Sequence, residues 1–264
     1  MSTAIRIAVI GLGEAGSLIA AGLHAAGAHV TGFDPAKPSD TAVPSARNID
    51  DAVDGAEVVL SVNSSTVARR VAEEAAPLLG KGAIFADLNT GTPSMKRGLA
   101  SSFPPGAFVD VAIMKPVPGL GEKVPMAAAG PGARRFVDLL EPLGLDVEYV
   151  SDVSGDAAAR KLLRSILAKG IAAVLIDTLW AAESVGLEEW AYQEILREFD
   201  SSSGDTAQRY LSGTAQHVKR RQIEMMDVSE MLDETGYQST MVDGVALTYS
   251  RILHSKKIPF STAP

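Results

Sequence analysis

Two groups of residues have the types and spacing that chemistry requires. The first is Gly11-Leu12-Gly13-Glu14-Ala15-Gly16, a G-x-G-x-x-G directly behind the apolar run 5–10. Its first glycine permits the tight turn out of a strand, its second lets backbone approach a pyrophosphate, and its third lets helix and strand pack closely. Free N–H groups and the positive end of the following helix then receive phosphates, so a dinucleotide is expected here. The second is Lys161. On a helix it shares a side with Ala157 or Ala158, Ser165, Ala168 and Ala172, a strip of small residues that a flat ring can approach. An ammonium in that place can hold a substrate oxygen and exchange its proton as hydride moves. A lone helical lysine is more often a solvated surface group, and pattern alone favours that blander role.

Asp34 lies about twenty residues beyond the glycines, at the close of the apolar run 28–33. A carboxylate there accepts hydrogen bonds from the adenosine ribose hydroxyls and repels the extra phosphate of the phosphorylated cofactor, which favours NAD over NADP. Asp34 also suits the opening of the turn Asp34-Pro35-Ala36-Lys37-Pro38, and Lys37, able to approach a 2′-phosphate, keeps NADP open. Short polar side chains gather at two further strand ends, Ser61-Val62-Asn63-Ser64-Ser65 and Asp87-Leu88-Asn89-Thr90-Gly91-Thr92-Pro93. Asn63, Asn89 and Thr90 can contact the nicotinamide and its ribose. The same residue types are favoured helix caps.

The elements that must position these groups alternate. After the strands 5–10 and 28–33 come strands at 57–62, 83–87 and 107–111, separated by helices near 67–79 and 93–101. Segments 126–130, 133–143 and 147–150 read as strand, helix and strand. Such alternation predicts a mainly parallel sheet with right-handed crossovers, whose ligands bind beyond the C-terminal strand ends. Beyond Asp152 strand patterns vanish: 154–187 reads as one long apolar helix with Ser154 as N-cap, and helical segments continue to 253. Ser201-Ser202-Ser203-Gly204 reads as a loop and 259–264 as a loose tail. The expected architecture is an α/β Rossmann domain over 1–152, joined by a long helix to an all-α domain over 153–264.

Composition narrows the function classes. The chain is 46% hydrophobic but only 5% aromatic, so its interior is built from Ala, Val, Leu and Ile, as βαβ units tend to be. It contains no cysteine, which excludes disulfides, thiolate chemistry and Cys-ligated metal, and fits a reducing cytoplasm. A net charge of −8 argues against a general nucleic-acid binder. His24, His29, His217 and His254 show no ligand spacing with carboxylates, so no metal is expected. Arg6 and Ala25-Ala26-Gly27 imitate a secretory signal, but Glu14 interrupts the apolar run and cleavage would remove the glycines. The apolar segment 166–180 is broken by Lys169 and Asp177 and is too short for a bilayer. A soluble, cytoplasmic protein without membrane association is expected.

On these residues the chain resembles the β-hydroxyacid dehydrogenases, the group of 3-hydroxyisobutyrate and 6-phosphogluconate dehydrogenases, over nearly its whole length. Gly11 to Gly16 match the family's glycine start, Asp87-Leu88-Asn89-Thr90 with Pro93 its second cofactor segment, and 155–165 its lysine-bearing helix. The resemblance implies an NAD(P)-dependent oxidoreductase acting on a small hydroxy acid or related alcohol, with Lys161 as general acid/base. It gives Ser165 the neighbouring role of the family's asparagine. Met114, Lys115 and Pro116 stand where the family has a Ser-Gly-Gly substrate loop, which implies a different substrate; Lys115 can hold an anionic group. The pattern is closer to phosphogluconate-dehydrogenase-like proteins with their own C-terminal domain. There a basic cluster like His217, Lys219, Arg220 and Arg221, ahead of Glu224, either meets substrate or forms surface pairs. The family also implies a homodimer through the C-terminal helices. Two rivals stand beside this reading: an imine reductase, whose catalytic position commonly holds Asp or Tyr, and a silent dinucleotide sensor.

Overall fold

The computed structural model describes residues 4–37, 43–184, 186–199, 204–236, 238–254 and 257–261. They form two compact units, Met1–Lys161 and Leu162–Pro264.

In the first unit β1 (Arg6–Ile10), α1 (Glu14–Ala25) and β2 (His29–Phe33) make the opening βαβ. There follow α2 (Ile49–Val53), β3 (Val58–Ser61), α3 (Ser65–Ala75), β4 (Ile84–Asp87), α4 (Pro93–Ala100) and β5 (Phe108–Ile113). Then come β6 (Met126–Ala129), α5 (Ala133–Leu140) and β7 (Val147–Ser151). The strand order is β2-β1-β3-β4-β5-β6-β7. Both faces of this sheet are covered, which is why its strands are continuous apolar runs. Ile7 and Val9 enter one core with Ile19 and Leu23 of α1 and Phe136 and Leu140 of α5. Ala8 and Ile10 enter the other, with Val71 and Ala75 of α3. There Phe85 stacks on Phe103 at 4.7 Å.

The sheet is mainly parallel, with one reversal. β6 pairs antiparallel to β5, Asp110 opposite Ala129 and Ile113 opposite Met126. The connection between them holds only a 3₁₀ turn at Gly121–Lys123, too little for a crossover, so the chain returns from the same end of the sheet. α2 escapes pattern reading because it is one turn and a half long; Asn48 Oδ1 accepts from Asp51 N at 2.8 Å and fixes its start.

α6 (Asp156–Ser184) begins in the first unit and ends in the second, which also holds α7 (Glu188–Glu198), α8 (Gly204–Thr235) and α9 (Thr240–Leu253). Ile176, Leu179 and Trp180 of α6 pack with Ile195 and Leu211. Ser154 is not the cap of α6: its buried Oγ has no hydrogen-bond partner. Gly155, at φ +103°, turns the chain so that Asp110 of β5 caps the helix instead. The tail is not loose over its described part. Phe260 stacks on Tyr192 at 4.2 Å, and Trp180 Nε1 donates to Lys257 O at 2.8 Å. The expected loop at Ser201–Ser203 lies outside the described residues, and Gly204 already belongs to α8. Among the described residues no helix is long and apolar enough to cross a membrane.

Candidate active site

The glycine turn joins β1 to α1 and is shaped by exclusion. Gly11 takes φ +98°, and a Cβ on it would lie 2.3 Å from Val62 O. A Cβ on Gly16 would lie 1.9 Å from Gly11 O. Gly13 differs: a Cβ there meets nothing within 4 Å, so its glycine leaves open space above the turn rather than relieving an internal clash. Gly13 is also the N-cap of α1 and caps it with no side chain, leaving first-turn N–H groups for a ligand. Asp34 completes the turn. Its Oδ2 accepts from Leu12 N and its Oδ1 from Ala36 N, each at 2.8 Å, so the carboxylate is fixed beside the loop by backbone. Leu12 is buried against Gly32, Glu14 is exposed and Ala15 half-buried. Open space, free N–H groups and an oriented carboxylate fit the pyrophosphate and ribose of a dinucleotide.

The ends of β3 and β4 continue from this turn. Asn63 lies against Gly11, donates its backbone N–H to Asn89 Oδ1, and donates Nδ2 to Ser61 Oγ at 2.9 Å. Asn89 Nδ2 donates to the same Ser61 Oγ at 2.9 Å. Next to Asn89, Thr90 Oγ1 accepts from Lys161 Nζ at 2.9 Å. The expected residues Gly11, Asn63, Asn89, Thr90 and Lys161 therefore form one connected rim. Lys161 is half-buried rather than solvated.

Behind the rim lies an ionic trio that pattern reading missed. Lys96 Nζ donates to the carbonyl oxygen and to Oδ2 of Asp87, both at 2.9 Å, and pairs with Asp110 Oδ1 at 3.3 Å. The three side chains are 1% exposed or less. Burial alone pushes the Lys96 ammonium down; Asp87, then Asp110, outweigh it and hold the group above its usual value. Asp87 Oδ1 accepts from Asn89 N at 3.3 Å and from its Nδ2, while Asp110 Oδ2 accepts from Gly155 N at 3.1 Å and Ala158 N at 3.0 Å. A signal existed: Lys96 falls at i+3 from Pro93 and i−3 from Leu99, all three buried, where α4 needs an inward residue.

Met114 packs with Ala112, Ala127 and Ala157, while Lys115 and Pro116 are exposed. In the second unit Ser165 is buried and accepts from Lys169 Nζ at 3.2 Å. Lys169 pairs with Glu224 Oε2 at 2.6 Å. Burial pushes the Lys169 ammonium below its usual value; Glu224 opposes this, and Arg221 and Arg164 add to it. Arg221 Nη1 donates to buried Thr214, and Tyr249 OH reaches Lys169 O at 3.5 Å. Burial pushes the Tyr249 hydroxyl up to about 12 against the pull of Arg221. An unbroken helix would carry His217, Arg221 and Glu224 on one face, but α8 kinks at His217 with φ −125° and ψ 21°. His217 is exposed, whereas Arg221 and Glu224 turn toward α6 and α9.

A family model for the NAD binding domain of 6-phosphogluconate dehydrogenase matches residues 6–108, and one described as Domain of unknown function (DUF1932) matches 182–252. A conserved hypothetical protein from Sinorhizobium meliloti is 31% identical, with 99% of this chain and 92% of that chain covered and a TM-score of 0.78. A conserved protein of unknown function, described as structurally similar to 3-hydroxyacid dehydrogenases, is 29% identical over 95% of this chain and 97% of its own, with a TM-score of 0.76. The Mycobacterium tuberculosis 3-hydroxyisobutyrate dehydrogenase, solved with L-serine, shares the fold: 18% identity, 97% and 96% coverage, TM-score 0.74.

Proposed function

The chain belongs to a β-hydroxyacid dehydrogenase-like family of NAD(P)-dependent oxidoreductases, and from that premise we propose that Lys161 is the general acid/base for a small hydroxy acid or related alcohol. The observation that carries this reading is the hydrogen bond from Lys161 Nζ to Thr90 Oγ1, on a rim continuous with the glycine turn. Gly11 to Gly16 and the first turn of α1 hold the pyrophosphate, Asp34 the adenosine ribose, and Asn63, Asn89 and Thr90 the nicotinamide end. The bound nicotinamide supplies or takes up hydride. During reduction Lys161 gives its proton to the substrate oxygen and stabilises the charge developing there; during oxidation it takes that proton. Thr90 orients the ammonium. Asp34 favours NAD, since its carboxylate opposes a 2′-phosphate.

The substrate is anionic on this reading, with Met114, Lys115 and Pro116 as its further contacts on the first unit. Residues 1–152 serve the cofactor and 153–264 the substrate and a homodimer. Support for the dimer comes from α6, where Leu163, Leu167 and Val174 are 55, 65 and 53% exposed. The setting is the cytoplasm. An amine at position 161 favours alcohol over imine chemistry. The test is a screen of hydroxy acids, sugar acids and cyclic imines, followed by the absorbance of reduced nicotinamide. Turnover of a hydroxy acid that is lost in Lys161→Met supports the reading. Turnover of imines alone, or cofactor binding without any turnover, refutes it.

A further inference from the structure

The trio Lys96, Asp87 and Asp110 is buried, charged and not needed for any step above. Its connections are specific. Asp87 hydrogen-bonds Asn89, the residue before Thr90, and Asp110 holds the N–H groups of Gly155 and Ala158, the opening turn of α6. Lys161 stands less than one turn further along that helix. The two sides of the Lys161–Thr90 hydrogen bond are thus each anchored to a carboxylate, and one ammonium joins the two carboxylates.

Resting on the assignment of Lys161, we propose that Lys96 is a positioning residue that fixes the distance between the Asn89–Thr90 loop and the opening of α6, and through it the place of the Lys161 amine. Hydrophobic packing could hold β4 and β5 side by side without any charge. A buried lysine bridging two acids adds directionality that packing lacks, since two of its N–H bonds go to set acceptors on Asp87 and its charge faces Asp110 Oδ1 at 3.3 Å. The arrangement carries two carboxylates against one ammonium. The spare negative charge faces the positive end of α6, where it is favoured.

The experiment uses the whole chain with NADH bound and follows amide exchange at residues 88–91 and 155–161, together with acylation of Lys161 read by mass spectrometry. In Lys96→Met both segments are expected to exchange faster together, by roughly tenfold, and Lys161 to be acylated faster. That variant leaves two buried acids unpaired and is at risk of not folding. The neutral variant Lys96→Leu/Asp87→Asn/Asp110→Asn removes the risk while keeping side-chain size. It is expected to melt near the parent and yet to show the faster exchange at both segments. Parental exchange and parental Lys161 reactivity in the neutral variant would mean that Lys96 only balances charge, and the proposal falls. The assignment of Lys161 is read separately: NADH should shield Lys161 from acylation in the unaltered chain. Failure of that shielding would sink the assignment, while amide exchange would still report on Lys96.

Discussion

Lys161 Nζ donates to Thr90 Oγ1 at 2.9 Å, joining residues 71 apart in sequence within the first unit. Removing the amine and removing its acceptor have different expected outcomes. Lys161→Met is expected to slow hydride transfer by roughly 10²–10⁴-fold, the usual worth of a positioned acid/base. Thr90→Val keeps the amine but not its guide, and a loss of about tenfold in turnover is expected. Cofactor affinity, measured by nicotinamide fluorescence, should stay within about threefold in Lys161→Met and fall further in Thr90→Val, since Thr90 also holds the nicotinamide end.

The glycines separate into structural and functional ones. Gly16→Ala places a methyl group against Gly11 O and is expected to cost about 1–3 kcal/mol or more, seen as a lowered melting temperature. Gly13→Ala meets no protein atom and should melt as the parent does. It is nonetheless expected to weaken cofactor binding by about tenfold or more, because its methyl group occupies the space above the turn. Equal melting losses in the two variants would contradict this division.

Asp34→Ser tests cofactor choice. Loss of the carboxylate is expected to raise the ratio of NADP to NAD affinity by at least about tenfold, as like-charge repulsion is removed. Part of the NAD affinity should go with it, since Asp34 also fixes Leu12 N and Ala36 N. Parallel titrations with the two cofactors give the ratio.

Tyr249 offers a check on the second unit. Burial raises its hydroxyl to about 12 from an ordinary value of 10.0. Because the folded value is the higher one, the stability tied to the neutral hydroxyl is fully present below pH 10.0 and is lost as pH rises toward 12. Tyrosinate absorbance should therefore show a late-titrating component that is absent from Tyr249→Phe.

Much of the first unit was legible because glycine spacing and apolar alternation are local signals. The turn at Gly11 to Gly16, the strand-end positions of Asn63, Asn89 and Thr90, and the helix bearing Lys161 all follow from residues near one another in sequence. What escaped depends on distant partners. Asp110 caps α6 from 45 residues away, displacing nearby Ser154, and Phe260 finds Tyr192 across the second unit. The kink at His217 separates residues that an ideal helix would align. The trio around Lys96 needed three segments brought together, and the single inward lysine on α4 was its only local mark.

The reversed pairing of β6 has an evolutionary consequence. Residues 114–125 leave the sheet at the C-terminal end of β5 and re-enter it at β6, and Val117 and Val124 pin them by their side chains to the interior. Beside those pins Lys115, Pro116 and Pro118 are exposed on a closed arch that carries no crossover. Rewriting the arch need not disturb the parallel strands beneath it. A lineage can thus vary the residues of this arch while inheriting the dinucleotide-binding framework intact.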